Sequence, residues 1–199
     1  MEKFFLEEPS LKRKEEAFDY INEFIINNSI INGVGGLDRY FKLNDYEGWL
    51  TQLEDDFNVI PNEEVVPSKT YFLVRVNDNK IIGMINIRLC LNERIKYLGG
   101  NIGYSIRPSE RRKGYNKINL YLGLLKCREY GLNKVLMDTL KSNIGSIKTI
   151  EALDGIQISE FYEKIFFKEF INKYLIDVNS SIEKNKVTFN DYVLENYNK

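Results

Sequence analysis

Apolar residues recur along this chain with two different periods, and the change from one to the other marks out its elements. Near the N-terminus the period is helical: Ala17, Phe18, Ile21, Phe24 and Ile25 share one face, Ser10 can cap that helix, and Pro9 closes a short edge strand over Lys3 to Glu7. Asn27 to Gly36, rich in Asn and Gly, is predicted as a loop. A second helix is expected from about Asp45 to Asp56, with Trp49, Leu50 and Leu53 turned inward and Trp49 in the core rather than in a pocket wall. From Thr70 the period shortens to two. Thr70 to Val76 and Lys80 to Leu91 predict a hairpin turning at Asn77, Asp78 and Asn79, and Gly83 marks a bulge or the close approach of another backbone.

The same logic continues to the C-terminus. Asn101 to Ile106 alternates as a strand, and Pro108 stops it. Ile118, Tyr121, Leu122, Leu124 and Leu125 then fall at helical spacing, with Lys126, Arg128 and Glu129 for the wet side and Gly131 as the stop. Lys134 to Leu140 reads as a buried strand and Ser142 to Leu153 as a helix. After a turn at Asp154 and Gly155, Ile156 to Tyr162 and Phe166 to Val178 supply antiparallel strands joined around Lys164 to Lys168. The last twenty residues are a polar run followed by Phe189, Tyr192, Val193 and Tyr197, either a frayed tail or a short docking helix. The order β-β-β-α-β-α predicts an α/β (α+β) chain with a mixed sheet covered by helices, because strands joined through helices can lie parallel.

Composition narrows the chemistry. With 199 residues the chain suits one domain over 1–199, and its formal net charge of −1 gives no general drive towards nucleic acid or a membrane surface. There is no histidine, which removes Ser-His-Asp and Cys-His catalysis and His-ligated metal sites, so no metal is expected. Cys90 and Cys127 stand alone in apolar patterns and read as reduced core residues of a cytoplasmic protein. The N-terminal segment resembles no secretion signal, and no window is long enough to span a bilayer.

Against this neutral background, Arg107, Arg111, Arg112 and Lys113 gather between the strand ending at Ile106 and the helix that follows, opposed locally only by Glu110. The first amides of a helix have no internal partner and the helix dipole is positive there, so the bend suits phosphate, and Gly114 lets a ligand come close to the backbone. A solvated basic loop is the plain alternative. Here the residues resemble a known family. Arg111, Gly114 and Asn116 stand where the Gln/Arg-x-x-Gly-x-Gly/Ala signature of the GNAT N-acetyltransferases stands, and SNIGSIKTIEALDG resembles that family's second cofactor segment.

The resemblance covers about Thr70 to Gly155 and implies a GNAT-like, mostly antiparallel twisted sheet of about six to seven strands flanked by helices. It implies a cofactor-binding core over about 70–155, a C-terminal extension over 180–199, and two central strands splayed around the pantetheine arm of acetyl-CoA. Ile106, Arg111, Arg112, Lys113, Gly114, Tyr115, Asn116, Asn143 and Ser146 would contact coenzyme A; by sequence alone Asn143 is equally a polar residue at a helix start. Two positions depart from the pattern. Asn116 replaces Gly or Ala, and Ile150 stands where many members carry a tyrosine that reprotonates the thiolate. Tyr104, Glu160 and Tyr162 are the candidates for proton transfer, each with an ordinary structural role as the alternative. The implied activity is acetyl transfer to a small amine by direct attack in a ternary complex; the alternative is a non-catalytic acyl-CoA-binding or sensing domain. The aromatic tail leaves a homodimer open, and no Walker-type phosphate loop occurs.

Overall fold

The computed structural model of the chain describes residues 2–194. Strand β1 (Phe4–Glu7) leads into helices α1 (Lys14–Ile26), α2 (Leu37–Leu43) and α3 (Tyr46–Asn58), then the hairpin β2 (Ser68–Arg75) and β3 (Lys80–Arg88). A short helix α4 (Glu93–Tyr97), strand β4 (Ile102–Ile106), helix α5 (Tyr115–Glu129), strand β5 (Lys134–Leu140) and helix α6 (Ile144–Ala152) follow. Strands β6 (Ile156–Glu163) and β7 (Glu169–Asp177), helix α7 (Val178–Phe189) and a turn of 3₁₀ helix (Asn190–Tyr192) follow.

The expected flanked sheet is present, divided in two. Strands β1-β2-β3-β4 form one sheet and β5-β7-β6 the other, and every ladder between named strands is antiparallel. The helix between β4 and β5 therefore joins two sheets instead of creating a parallel ladder. Alternation along β1 and β2 gives the first sheet two apolar faces. Phe5, Phe72 and Val74 pack with Tyr20, Ile21, Phe24 and Trp49, while Phe4, Tyr71 and Leu73 pack with Leu120, Tyr121 and Leu124. That second cluster also holds Val135, Met137, Tyr174 and Ile176, so it lies against both sheets. Helix α5 consequently has buried residues on all sides from Ile118 to Leu125, and its predicted wet face survives only near its C-terminus.

Gly83 answers both alternatives. The hairpin register slips beside it, and a Cβ there would stand 2.7 Å from the Ser105 carbonyl oxygen. Trp49 is fully buried and donates to the Gly35 carbonyl at 2.8 Å, a core role. Cys127 is buried, and burial pushes its thiol up to about 12; Cys90, expected in the core, is only half-buried in the bend after β3, and both are free thiols. The polar run near the C-terminus is helix α7, which docks on α5 with Phe189 stacked on Tyr121 at 4.9 Å. Phe189 and Val193 are thus buried within their own chain; Tyr197 lies outside the described residues.

Among the described residues, backbone of the two sheets is bridged at Gly100 and Met137. The Asn101 amide donates to the Leu136 carbonyl at 2.7 Å, and Asn101 Oδ1 accepts the Leu136 amide at 2.9 Å. Gly99 and Gly100 make this approach possible: both have positive φ, and a Cβ on Gly100 would sit 2.4 Å from the Leu136 oxygen. Beyond that point β4 stays paired to β3 and β5 to β7, with no ladder between β4 and β5 among the described residues, so the two strands are parted from each other's hydrogen bonding.

Candidate functional site

The bend that ends β4 is built from consecutive local signals. Pro108 opens a turn of 3₁₀ helix over Pro108–Glu110, Arg112 takes φ +63° and Gly114 φ +86°, and α5 starts at Tyr115. Two left-handed residues so close together turn successive amides outward, a geometry that receives anions. The amides of residues 112 to 116 find no acceptor among the described residues. Nothing lies within 4 Å of where a Gly114 Cβ would stand, so the space in front of these amides is open.

The basic side chains are not all available to a ligand. Arg107, 2% exposed, reaches Asp19 at 2.6 Å, Glu23 at 3.1 Å and the Ile81 carbonyl at 3.0 Å, and Glu23 also accepts the Ser109 amide at 2.6 Å. The bend's charge is therefore opposed by Asp19 and Glu23 of α1 as well as by Glu110, against the expectation from sequence. Arg111 donates from Nε to the Ile106 carbonyl at 3.1 Å and from Nη2 to Ser29 Oγ at 2.7 Å, with its guanidinium over the Phe24 ring. Lys113 pairs with Glu110 at 2.8 Å, and Arg75 reaches the same carboxylate at 3.2 Å. Burial alone would raise the Glu110 carboxyl, but Lys113 and Arg75 outweigh it and hold the group below its ordinary value. Arg112 is exposed, with no side-chain partner among the described residues.

Across the parted strands stands the start of α6. Asn143 caps it, its Oδ1 accepting the Ser146 amide at 3.1 Å. Ser146 Oγ in turn lies 2.9 Å from the Tyr104 hydroxyl, so β4 and α6 are joined by a side-chain bridge. Burial pushes the Tyr104 phenol up, against the opposing hydrogen bonds of Ser146 and Asn116. Asn116 Oδ1 is buried without a hydrogen-bond partner. Three sequence-predicted residues, Tyr104, Asn116 and Ser146, thus converge from β4, α5 and α6. Tyr115 contributes its amide to the bend, while its hydroxyl donates to Glu2 and its ring packs on Phe4.

The other candidates lie elsewhere. Glu160 and Tyr162 are on edge strand β6, with β7 between them and β5. Glu160 pairs with Lys141 at 2.9 Å, and Tyr162 donates to the Lys168 carbonyl at 2.9 Å while meeting Phe170 edge-on. Ile150 is fully buried in the core. Sequence reasoning missed Asp19, Glu23 and Ser29, which hold the bend from α1 and the loop after it. The carboxylates at Asp19 and Glu23, one helical turn apart, were a usable sign only once a partner on another element was known.

Residues 36–154 match the family model described as the acetyltransferase (GNAT) family. No curated protein matches the chain. Among solved structures the chain is similar to a spermidine N-acetyltransferase SpeG chimera from Vibrio cholerae and hSSAT, with TM-score 0.63 and 10% identity over 90% of this chain and 98% of that one. It is similar to Mycobacterium smegmatis RimJ in complex with CoA-disulfide, with TM-score 0.66 and 10% identity over 92% and 88% of the two chains. The microcin C7 self-immunity acetyltransferase MccE, in complex with acetyl-CoA and AMP, gives TM-score 0.62 and 16% identity over 87% and 91%. At these identities the likeness to the solved structures is one of fold.

Proposed function

The chain belongs to the acetyltransferase (GNAT) family and is an acyltransferase on that ground, and we propose that it moves an acetyl group from acetyl-CoA to a small amine by direct attack in a ternary complex. The observation that carries the proposal is the run of acceptor-free amides at residues 112 to 116 at the start of a fifteen-residue helix. Beside it, Asn116 Oδ1 is a buried acceptor with no hydrogen-bond partner, suited to an N–H or O–H of a ligand and not to phosphate. The open amides fit a diphosphate: they and the helix dipole meet the negative charge, exposed Arg112 adds to it, and Gly114 keeps the approach clear. To the arm of the cofactor we assign Ile106, Asn143 and Ser146, where β4 and β5 part; Asn143 keeps its Nδ2 free of partners among the described residues. CoA complexes of two of the similar structures support the choice of cofactor, and spermidine acetyltransferases among them support an amine acceptor.

Bound acetyl-CoA supplies an activated acyl carbonyl. The chain's part is to hold, orient and exchange protons. Tyr104, which burial keeps protonated, is suited to give a proton rather than to take one, so we assign it as the acid, standing in for the tyrosine that Ile150 replaces. Glu160 and Tyr162, already committed to Lys141 and the Lys168 carbonyl, are given no step, and the amine loses its proton through water.

Calorimetry with coenzyme A tests the anion site. Gly114→Ala places a methyl in front of the amides and strains a left-handed residue by about 1–2 kcal/mol, so affinity is expected to fall at least about tenfold, or about 1.4 kcal/mol, in a protein that still unfolds cooperatively. Unchanged affinity overturns the assignment. A panel of amines that includes spermidine then tests the chemistry: thiol release above the acceptor-free blank is expected, and coenzyme A binding without it would leave a binding domain.

A further inference from the structure

The parted strands have two faces. One carries the bend, α5 and α6; the other carries Gly103 and Ser105, whose neighbours are α1 and the loop of residues 27–36. That loop lies directly on β4. A Cβ on Gly33 would stand 2.3 Å from the Gly103 carbonyl and the Tyr104 nitrogen, so the two backbones cross with no side chain between them. If a cofactor fills the face of the bend, an attacking amine has to come from the opposite face, and this loop covers it beside Gly103.

One side chain connects the loop to the bend. Arg111 spends Nε on the Ile106 carbonyl and Nη2 on Ser29 Oγ, while Ser29 itself is held at the end of α1 by donation from its amide to the Phe24 carbonyl at 2.9 Å. Nη1 has no partner among the described residues, and the residue is exposed. A guanidinium is a planar fork with five donors, so Nη1 can take a phosphate oxygen while Nε and Nη2 keep their present partners. We infer that Arg111 is a positioning residue with two sides, joining the cofactor's phosphates to the 27–36 loop through Ser29, so that cofactor binding at the bend steadies that loop.

The inference rests on the functional proposal for the identity of the anion, but the tether itself does not. Coupling of this kind needs no large movement. A ligand that immobilises Arg111 removes freedom from Ser29 and the loop beyond it, and by linkage an amine bound under the loop tightens the cofactor by the same factor.

Hydrogen exchange of residues 27–36, with and without coenzyme A, tests it on the full chain. In the free protein Ser29→Ala is expected to speed exchange of these amides by about tenfold, and Ser29→Thr, which keeps the hydroxyl, to restore it. In the wild type coenzyme A is expected to slow the same amides by about tenfold, and in Ser29→Ala to leave them unchanged while its affinity stays within about fivefold. With turnover, Ser29→Ala should raise the amine KM and spare kcat. Exchange identical in the free wild type and Ser29→Ala overturns the tether, and slowing by coenzyme A that persists in Ser29→Ala overturns the coupling. A failure of coenzyme A to bind at all sinks the functional proposal and the coupling, while the free-protein comparison still decides the tether.

Discussion

The two halves of the bend between β4 and α5 are a few residues apart and behave in opposite ways. From Arg107 to Arg111 the groups are spoken for: a buried guanidinium faces two carboxylates and a carbonyl, and Arg111 is anchored to Ile106 and Ser29. From Arg112 to Asn116 the side chains matter less, and what is on offer is backbone, a series of amides with no acceptor among the described residues. Apart from the free Nη1 of Arg111, the first half is scaffold, and the second is the proposed site. Positive charge in a sequence is thus a poor guide to positive charge available to a ligand, because desolvated cations recruit their own anions from the rest of the fold.

The strongest way to break this contrast is at Arg107. Arg107→Ala is expected to cost about 3 kcal/mol in urea unfolding, at the low end for a buried pair because Asp19 remains well exposed. Arg107 Nη2 is buried with no hydrogen-bond partner, so Arg107→Met, which keeps the volume and removes that polar atom, should lose clearly less. Equal losses would mean that the polar contacts of the guanidinium, and not its packing, hold the scaffold half.

Next in size is Tyr104. Tyr104→Phe removes the proposed acid but keeps the ring, and kcat is expected to fall about a hundredfold, or about 2.7 kcal/mol, with coenzyme A affinity unchanged. A parallel loss of affinity would make Tyr104 part of the anion site instead.

The smallest effect is in alkali. Tyr20, bonded to Ser105 on one face of β4, and Tyr104 on the other are both raised by burial above the usual 10.0. Above pH 10 the unfolded chain then holds fewer protons than the folded one, so stability present below that pH falls as pH rises, by about 1 kcal/mol per tyrosine over the first unit. Stability flat through pH 11 would mean that neither phenol is desolvated; Tyr20→Phe and Tyr104→Phe separate their shares.

What could be read beforehand follows the separation in sequence of the interacting groups. The bend was legible because Pro108, Gly114 and the start of α5 are close neighbours and each acts on its own backbone. The hairpin at Asn77 to Asn79 and the cap at Asn143 were legible for the same reason. Helices α2 and α4 are too short to show a helical period, and the polar composition of α7 fits a frayed tail as well as a helix. The pairs Arg107 with Asp19, Arg111 with Ser29 and Tyr104 with Ser146 lie 88, 82 and 42 residues apart, and no periodicity encodes them.

By itself, then, the chain's pattern of apolar residues, prolines and glycines determined most of its strands and longer helices and where the turn before α5 must fall, since those are choices each stretch of backbone makes locally. Which arginine would be buried and which amides left open was decided only when α1, β4 and α6 came together. Burial sets the cost of a bare charge, and burial is a property of the assembled fold.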